Sequence, residues 1–205
     1  MSNTLCLMLI LPEFADWEAA SLAPILTNPH AGWQVKYVSL TEEPVKSIGG
    51  MTIIPDCSLD SAPEEFGGLV LVGGNSWRTA AAEKAMTLVN RALALHVPVG
   101  AICDATVFLG AHGVLNHVRH TSNVLDSLKE FAGDQYTNES GYVTEQAVRD
   151  GNIVTANGSA PFEFARLMLL ALGVMPEKDA DNLYFFLKNG LYETMANHID
   201  LSFIL

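Results

Sequence analysis

Residues 97–113 read VPVGAICDATVFLGAHG, an apolar strand pattern followed at once by a helical one. The strand pattern ends at Cys103, and the small residues Ala101 and Ala105 stand two positions before and after it. A nucleophile elbow needs small residues there, because strand and helix pass closely at a strained turn. Free N–H groups and the dipole of a helix N-terminus also stabilise a thiolate and lower the thiol pKa. This stretch therefore predicts that Cys103 is a reactive nucleophile at a strand-to-helix turn.

Strand and helix patterns alternate on both sides of this turn. Strands are predicted at residues 5–11, 33–40, 51–54, 69–72, 97–102 and 152–156. Helices are predicted at residues 16–26, 56–66, 79–96, 106–111 and 161–172, with a weaker pattern at 114–148. Continuous apolar runs such as residues 5–11 are typical of parallel strands covered on both faces. The alternation predicts an α/β fold with a doubly wound, mostly parallel sheet.

Length and composition indicate one domain spanning residues 1–205. The 205-residue chain is 49% hydrophobic and 17% charged, and no Pro-, Gly- or Ser-rich linker divides it. A chain this apolar must bury a sheet or an oligomer interface. The segment 177–205 forms a C-terminal extension that is too apolar to stay in water, so we expect it to pack on the body or on a second subunit.

Charge and cysteine usage restrict the partners. Eleven Lys and Arg residues against 23 Asp and Glu residues give a net charge of −12, which makes nucleic acid an unfavourable partner. No apolar run approaches the roughly 18 residues that span a bilayer, so we expect neither a membrane anchor nor a signal peptide. The three cysteines form no C-x-x-C pair, which indicates neither a disulfide framework nor a zinc site. We therefore expect a cytoplasmic protein without a metal or another cofactor.

Residues that follow the other strands are expected near Cys103, because ligands bind at the carboxyl ends of parallel strands. Gly73 and Gly74 follow the strand 69–72, and their N–H groups, together with that of Asp104, could form an oxyanion hole. A tight turn that needs glycine explains Gly73 and Gly74 equally well. Acids after the first strand, Glu13 and Asp16, fit a helix N-terminus, where the dipole favours them.

Four segments in order resemble the ThiJ/PfpI superfamily of deglycase-like proteins and PfpI-type intracellular peptidases. They are ADWE at 15–18, VGGN at 72–75, AICDATVFLGAHGVL at 101–115 and GSAPFEFARLMLLAL at 158–172. The resemblance implies a flavodoxin-like three-layer sandwich, related to class I glutamine amidotransferases and usually a homodimer. It also implies that Cys103 is the reactive cysteine and that Glu18 is the acid hydrogen-bonded to it, often protonated and able to stabilise an oxidised cysteine. Burial beside a thiolate would raise the pKa of Glu18, and we expect Trp17, Asn75 and Asn123 to line the pocket.

Two histidines of the superfamily pattern are absent. PfpI-type peptidases place a histidine directly after the cysteine, where this chain has Asp104, and the deglycase-type T-T-H is matched by Thr121-Ser122-Asn123. His112, His117 and His120 lie downstream, and one of them could move into the site, although a loop or core position is expected for each. The charge of Asp104 would raise the thiol pKa if it faced Cys103 and would have less effect if it pointed away.

These observations support two hypotheses about function. In the first, Cys103 is the nucleophile and Glu18 the acid/base of a peptidase or amidase, or of a glyoxalase or deglycase acting on small carbonyls. Without a histidine to protonate a leaving amine, peptidase activity is expected to be weak or absent. In the second, the protein is a non-catalytic stress-response sensor whose Cys103 is oxidised. The expected partners are a small-molecule substrate or oxidant and a second copy of the chain.

Overall fold

The computed structural model of this chain describes residues 4–203. The strands are β1 Thr4–Leu9, β2 Trp33–Ser39, β3 Val45–Lys46, β4 Thr52–Ile53, β5 Cys57–Ser58, β6 Gly68–Leu71, β7 Val99–Ile102, β8 Ala147–Asp150 and β9 Ile153–Ala156. The α-helices are α1 Asp16–Ala20, α2 Ala23–Leu26, α3 Met86–Ala94, α4 Asp104–Ala111, α5 Leu125–Ala132, α6 Pro161–Ala171 and α7 Glu177–Ala196. Short 3-10 helices lie at Ala82–Ala85, Gly133–Gln135 and Glu139–Gly141.

One seven-stranded sheet organises the fold, in the order β5-β2-β1-β6-β7-β9-β8. All neighbouring pairs are parallel except β8 and β9, while β3 and β4 form a separate antiparallel hairpin. The register aligns Leu9 with Leu71, Leu71 with Ala101 and Ala101 with Thr155, so the carboxyl ends of the central strands share one edge. The prediction of an α/β fold with a mostly parallel sheet is confirmed.

Each face of the sheet is covered by helices. Successive side chains of a strand point to opposite faces, and β1 is buried on both. Leu7 of β1 packs in a core cluster with residues of α3, α4 and α5, including Phe108. Met8 packs in a second cluster with residues of α6, including Phe164. This is the layered arrangement of helix, sheet and helix that a flavodoxin-like sandwich requires.

Two of the predicted helices differ from the structure. The segment 16–26 forms α1 and α2 separately, because Pro24 near the start of α2 has no N–H for a continuous helix. The segment 56–66 was expected to be helical, but it contains the edge strand β5 followed by turns. There the hydroxyls of Ser58 and Ser61 accept each other's backbone N–H, a local pairing that competes with helix formation.

The C-terminal extension packs on the body through the first part of α7. Ala180 and Leu183 are buried, and Lys188 donates to Glu163 of α6 at 2.7 Å. Gly190 has φ of 82° and kinks the helix, and beyond it Tyr192 is 85% exposed. The packing of the first part fits the expectation from the sequence. Within residues 4–203, no helix has both the length and the apolar character to cross a bilayer.

Candidate active site

Cys103 lies at the carboxyl end of β7, directly before α4. Its backbone has φ of 60° and ψ of −132°, a strained conformation for a residue other than glycine and one that concentrates at functional sites. The turn is held by the Cys103 N–H, which donates to the Ala156 carbonyl at 2.9 Å, and by the Thr106 hydroxyl, which donates to the Cys103 carbonyl at 2.6 Å. Ala101 and Ala105 are fully buried beside it. The strand-to-helix turn predicted from the sequence is present, and its thiol is half-buried.

The Glu18 carboxyl lies against Cys103 inside the protein. Glu18 belongs to α1 and is 1% exposed, and its Oε2 accepts the Gly73 N–H at 2.7 Å. Its Oε1 has no hydrogen-bond partner among the N and O atoms of residues 4–203. A Cβ at position 73 would overlap Glu18 Oε2, so only glycine lets the chain pass this close to both residues.

Burial dominates the protonation of both groups. It raises the pKa of Glu18 from its ordinary 4.5 to about 7, against the opposing effect of hydrogen bonds from Cys103 and Gly73. Burial and the negative charge of Glu18 raise the pKa of Cys103 to about 11. When Glu18 is ionised, burial and its charge therefore outweigh the lowering of the thiol pKa expected from the helix N-terminus. Between these two values the pair shares one proton and carries one negative charge.

Two donors favour placing that charge on sulfur. Asn123 Nδ2 donates to Cys103 Sγ at 3.2 Å, and this bond and the adjacent backbone N–H of Asp104 both lower the pKa of Cys103. Asn123 Oδ1 in turn accepts the Gly158 N–H at 2.8 Å, which fixes the amide orientation. With the proton on Glu18 and the charge on Cys103, the site holds a nucleophile and an acid in contact.

The three N–H groups expected to form an oxyanion hole, those of Gly73, Gly74 and Asp104, have different surroundings in the structure. The Gly73 N–H donates to Glu18 Oε2 at 2.7 Å, so in this structure it does not face an open oxyanion position. The Asp104 N–H adjoins Cys103 and lowers the pKa of its thiol. Gly74 is buried with φ of 146°, and its N–H donates to no acceptor within residues 4–203.

The Asp104 side chain points away from the sulfur. Its two oxygens accept from Arg78 at 2.7 Å and 2.6 Å in a bidentate ion pair. Of the two orientations left open by the sequence, the structure shows the one in which the charge is paired with a cation. No local sequence pattern predicts the pairing with Arg78, because the two residues are 26 positions apart along the chain.

Gly158 closes the other side of the sulfur, a role that the sequence analysis did not assign. A Cβ at this position would lie 2.9 Å from Cys103 Sγ and 3.2 Å from Glu18 Oε1. Its carbonyl accepts the Trp17 indole N–H at 2.9 Å, and Trp17 is 48% exposed. The available signal was its position two residues after β9, at the same edge of the sheet as Cys103.

A polar cavity of about 590 Å³ lies beside the thiol. Two of its lining residues, Asn123 and Gly158, also lie next to Cys103 Sγ. Its other lining residues carry mainly hydroxyl and amide groups: Thr121, Ser122, Tyr142, Thr144, Glu145, Gln146, Asn157 and Ser159. Asn75 is not among them. It lines a separate hollow of about 390 Å³ with Glu13 and Lys46, so the structure does not bring Asn75 and Asn123 into one cavity.

The downstream histidines lie in other environments. His112, at the end of α4, contacts Glu83 Oε2 at 2.8 Å. His120 is buried, contacts the Tyr136 hydroxyl at 2.6 Å, and its pKa is lowered by burial. His117 is exposed beside a different hollow. None of the three hydrogen-bonds Cys103, and within residues 4–203 no cluster of His, Cys, Asp and Glu is arranged to hold a metal ion.

Comparisons with known proteins agree with this architecture. A sequence model of the DJ-1/PfpI family matches residues 5–171. The Bacillus subtilis protein named uncharacterized protease YdeA is 38% identical over 186 residues, covering 91% of this chain and 92% of its own. The Caenorhabditis elegans protein named glutathione-independent glyoxalase DJR-1.2 is 27% identical over 168 residues, covering 78% and 83%. A crystal structure of a thiJ/pfpI family protein from Bacillus anthracis superimposes with a TM-score of 0.88 at 29% identity, covering 98% of this chain and 99% of the other. The chain belongs to the DJ-1/PfpI family.

Proposed function

We propose that this protein is a cysteine-dependent enzyme that converts small 2-oxoaldehydes into 2-hydroxy acids, a glyoxalase-type reaction. The observation that carries the proposal is the buried carboxyl of Glu18 against the half-buried thiol of Cys103, with a Glu18 pKa of about 7. A general acid works best when its pKa lies near the operating pH. The glyoxalase name of the nematode relative supports the same reaction class.

The chemistry needs only these two side chains, the surrounding donors and water. The Cys103 thiolate adds to the aldehyde carbon, and the Glu18 proton passes to the carbonyl oxygen to give a hemithioacetal. The Glu18 carboxylate then removes the hydrogen of that carbon as a proton and returns it to the neighbouring carbon, while a proton moves between the two oxygens. The product is a thioester of the 2-hydroxy acid, which water hydrolyses to release the free thiol. The sum is addition of one water without an external oxidant or reductant.

Peptide hydrolysis is less well supported by the site, although two bacterial relatives carry protease names. An amide requires protonation of a poor leaving group, and cysteine peptidases use a histidine for this step. Here no histidine hydrogen-bonds the Cys103 sulfur within residues 4–203. The hydroxyl and amide groups of the adjacent cavity suit a small polar carbonyl compound.

Turnover of methylglyoxal to lactate tests the proposal. The wild-type protein is expected to form lactate, whereas Cys103→Ser and Glu18→Gln are expected to lose at least about a hundredfold in rate, as removal of a nucleophile or a general acid does. Cys57→Ala is the matched control, since Cys57 is a buried cysteine of the edge strand β5. Equal rates in wild type and Cys103→Ser would refute the enzyme proposal.

A redox sensor is the second candidate, favoured by the greater exposure of the Cys103 thiol compared with those of Cys6 and Cys57. Cys6 and Cys57 are buried and Cys103 is half-buried, and burial raises the pKa of Cys6 to about 12. Mild peroxide should therefore oxidise Cys103 first. Intact-mass and peptide mapping after peroxide would support the sensor if oxygen is gained at Cys103, and would refute it if Cys6 or Cys57 reacts instead. Lactate formation separates the two candidates.

We also propose that the protein is a cytoplasmic homodimer. Its support is the exposed apolar surface of α7 beyond the kink, where Leu191, Tyr192 and Met195 are 54%, 85% and 63% exposed. Patches of this kind commonly mark an interface. Light scattering at micromolar concentration is expected to give twice the chain mass, and a monomer at all concentrations would contradict the proposal.

A further inference from the structure

Arg78 connects the segments that surround the Cys103 sulfur. Its Nε donates to Asp104 Oδ2 at 2.7 Å and its Nη2 to Asp104 Oδ1 at 2.6 Å, at the first residue of α4. The same Nη2 donates to Ser127 Oγ of α5 at 2.9 Å. The guanidinium also lies 5.3 Å from the centre of the Phe131 ring on that helix. Arg78 lies in the segment that follows Gly73 and Gly74, and the Gly73 N–H donates to Glu18 Oε2.

This arrangement pairs the carboxylate of the residue that follows Cys103 in the chain. Asp104 is adjacent to Cys103 in sequence and is the first residue of α4. An unpaired carboxylate at this position would disfavour the thiolate, since a nearby like charge raises a thiol pKa. The other acids that face these groups are Glu18 from α1, against the sulfur, and Glu130 from α5, near Arg78. A bidentate pair with Arg fixes a carboxylate in one orientation and offsets its charge.

We propose that Arg78 is a positioning residue for Cys103: its bidentate pair with Asp104 holds that carboxylate in one orientation and offsets its negative charge near the sulfur. This inference rests on the proposed function, in which the sulfur of Cys103 is the reacting atom. Arg78 makes no hydrogen bond to the sulfur; it holds the Asp104 carboxylate and places its own positive charge near the thiol.

Alkylation of Cys103 by iodoacetamide, followed by mass spectrometry from pH 6 to 10, tests this role. In Arg78→Gln, the pH of half-maximal rate should rise by about half a unit to one unit, which makes alkylation about threefold to tenfold slower at pH 7. Asp104→Asn should have the opposite effect and speed alkylation, because a cation remains. The double variant Arg78→Gln/Asp104→Asn should return close to the wild-type profile.

The opposite signs make the test decisive. A wild-type profile for Arg78→Gln, or a double variant as slow as Arg78→Gln, would overturn the proposal. If circular dichroism shows that Arg78→Gln is unfolded, Asp104→Asn decides alone: faster alkylation supports the role, and unchanged or slower alkylation overturns it. Because alkylation is measured without turnover, failure of the Arg78 proposal is distinguishable from failure of the lactate assay.

Discussion

The Glu18 carboxyl lies against the Cys103 thiol in the interior, with Oε2 held by the Gly73 N–H and Oε1 without another hydrogen-bond partner in residues 4–203. A buried acid in this state is stable when it keeps its proton, because ionisation would place a charge where water cannot reach it. The proton on Glu18 is therefore the feature that links stability, thiol reactivity and acid catalysis in this protein.

The stability of the protein should fall as Glu18 ionises. The pKa of Glu18 is about 7 in the folded protein and 4.5 ordinarily, so the folded state holds the proton more tightly. The resulting stabilisation is present in full below pH 4.5 and is lost as pH rises through about 7. It amounts to about 3 kcal/mol. Urea unfolding at several pH values should show this loss in wild type and not in Glu18→Gln. Parallel stability profiles for the two proteins would contradict the assignment.

Gly158→Ala should disable the thiol by crowding it. The added methyl would lie 2.9 Å from Cys103 Sγ, so the sulfur or the loop must move. We expect alkylation of Cys103 to slow about tenfold and the free energy of unfolding to fall by about 1–3 kcal/mol. Gly151→Ala is the matched control: position 151 has φ of 57° and open space around it. It should cost about 1–2 kcal/mol through backbone strain and leave alkylation unchanged. Equal alkylation rates in the two variants would show that Gly158 does not limit the thiol.

Asn123→Asp should oppose formation of the thiolate. The substitution replaces an N–H donor at 3.2 Å from Cys103 Sγ with a second carboxylate. The pKa of Cys103 should rise, and alkylation at pH 7 should slow by about tenfold or more. Asn75→Asp adds the same charge in the neighbouring hollow, where solvent screens it, and should change the rate by less than about twofold. A similar effect of both variants would indicate that overall charge, rather than the contact with sulfur, sets the rate.

The histidines should be dispensable for the reaction. His112 is bound to Glu83 and His120 to Tyr136, and neither hydrogen-bonds Cys103. His112→Gln and His120→Gln, each checked for folding, should lack the loss of about a hundredfold or more expected for a general acid or base. A loss of that size in a folded variant would place a histidine in the mechanism.

The local sequence pattern was sufficient to predict the turn at Cys103. Small residues at 101 and 105 and the change from apolar strand to helix are short-range signals, and the structure shows the turn at that position. The continuous apolar pattern of β1 likewise predicted a central parallel strand, because a strand buried on both faces cannot alternate with polar residues.

Contacts between distant residues could not be predicted from the pattern. Arg78 and Asp104 are 26 positions apart, and Glu18 and Gly73 are 55 apart. Nothing local to either glycine indicates that Gly73 N–H is used by a carboxylate while Gly74 N–H is not. The predicted helix at 56–66 was wrong for a related reason. The polar residues of this segment suit a surface helix, but β5 within it pairs with β2, which lies far away in sequence.

The pH dependence of Cys103 alkylation in wild type and Glu18→Gln tests the central claim most directly, namely that one proton is shared between these two residues. Wild type should show a first increase in rate with a midpoint near pH 7 and a second near pH 11, and Glu18→Gln, whose neutral amide mimics protonated Glu18, should keep the first and lose the second. A single wild-type step near the ordinary thiol pKa of about 8.5, unchanged in Glu18→Gln, would contradict the account.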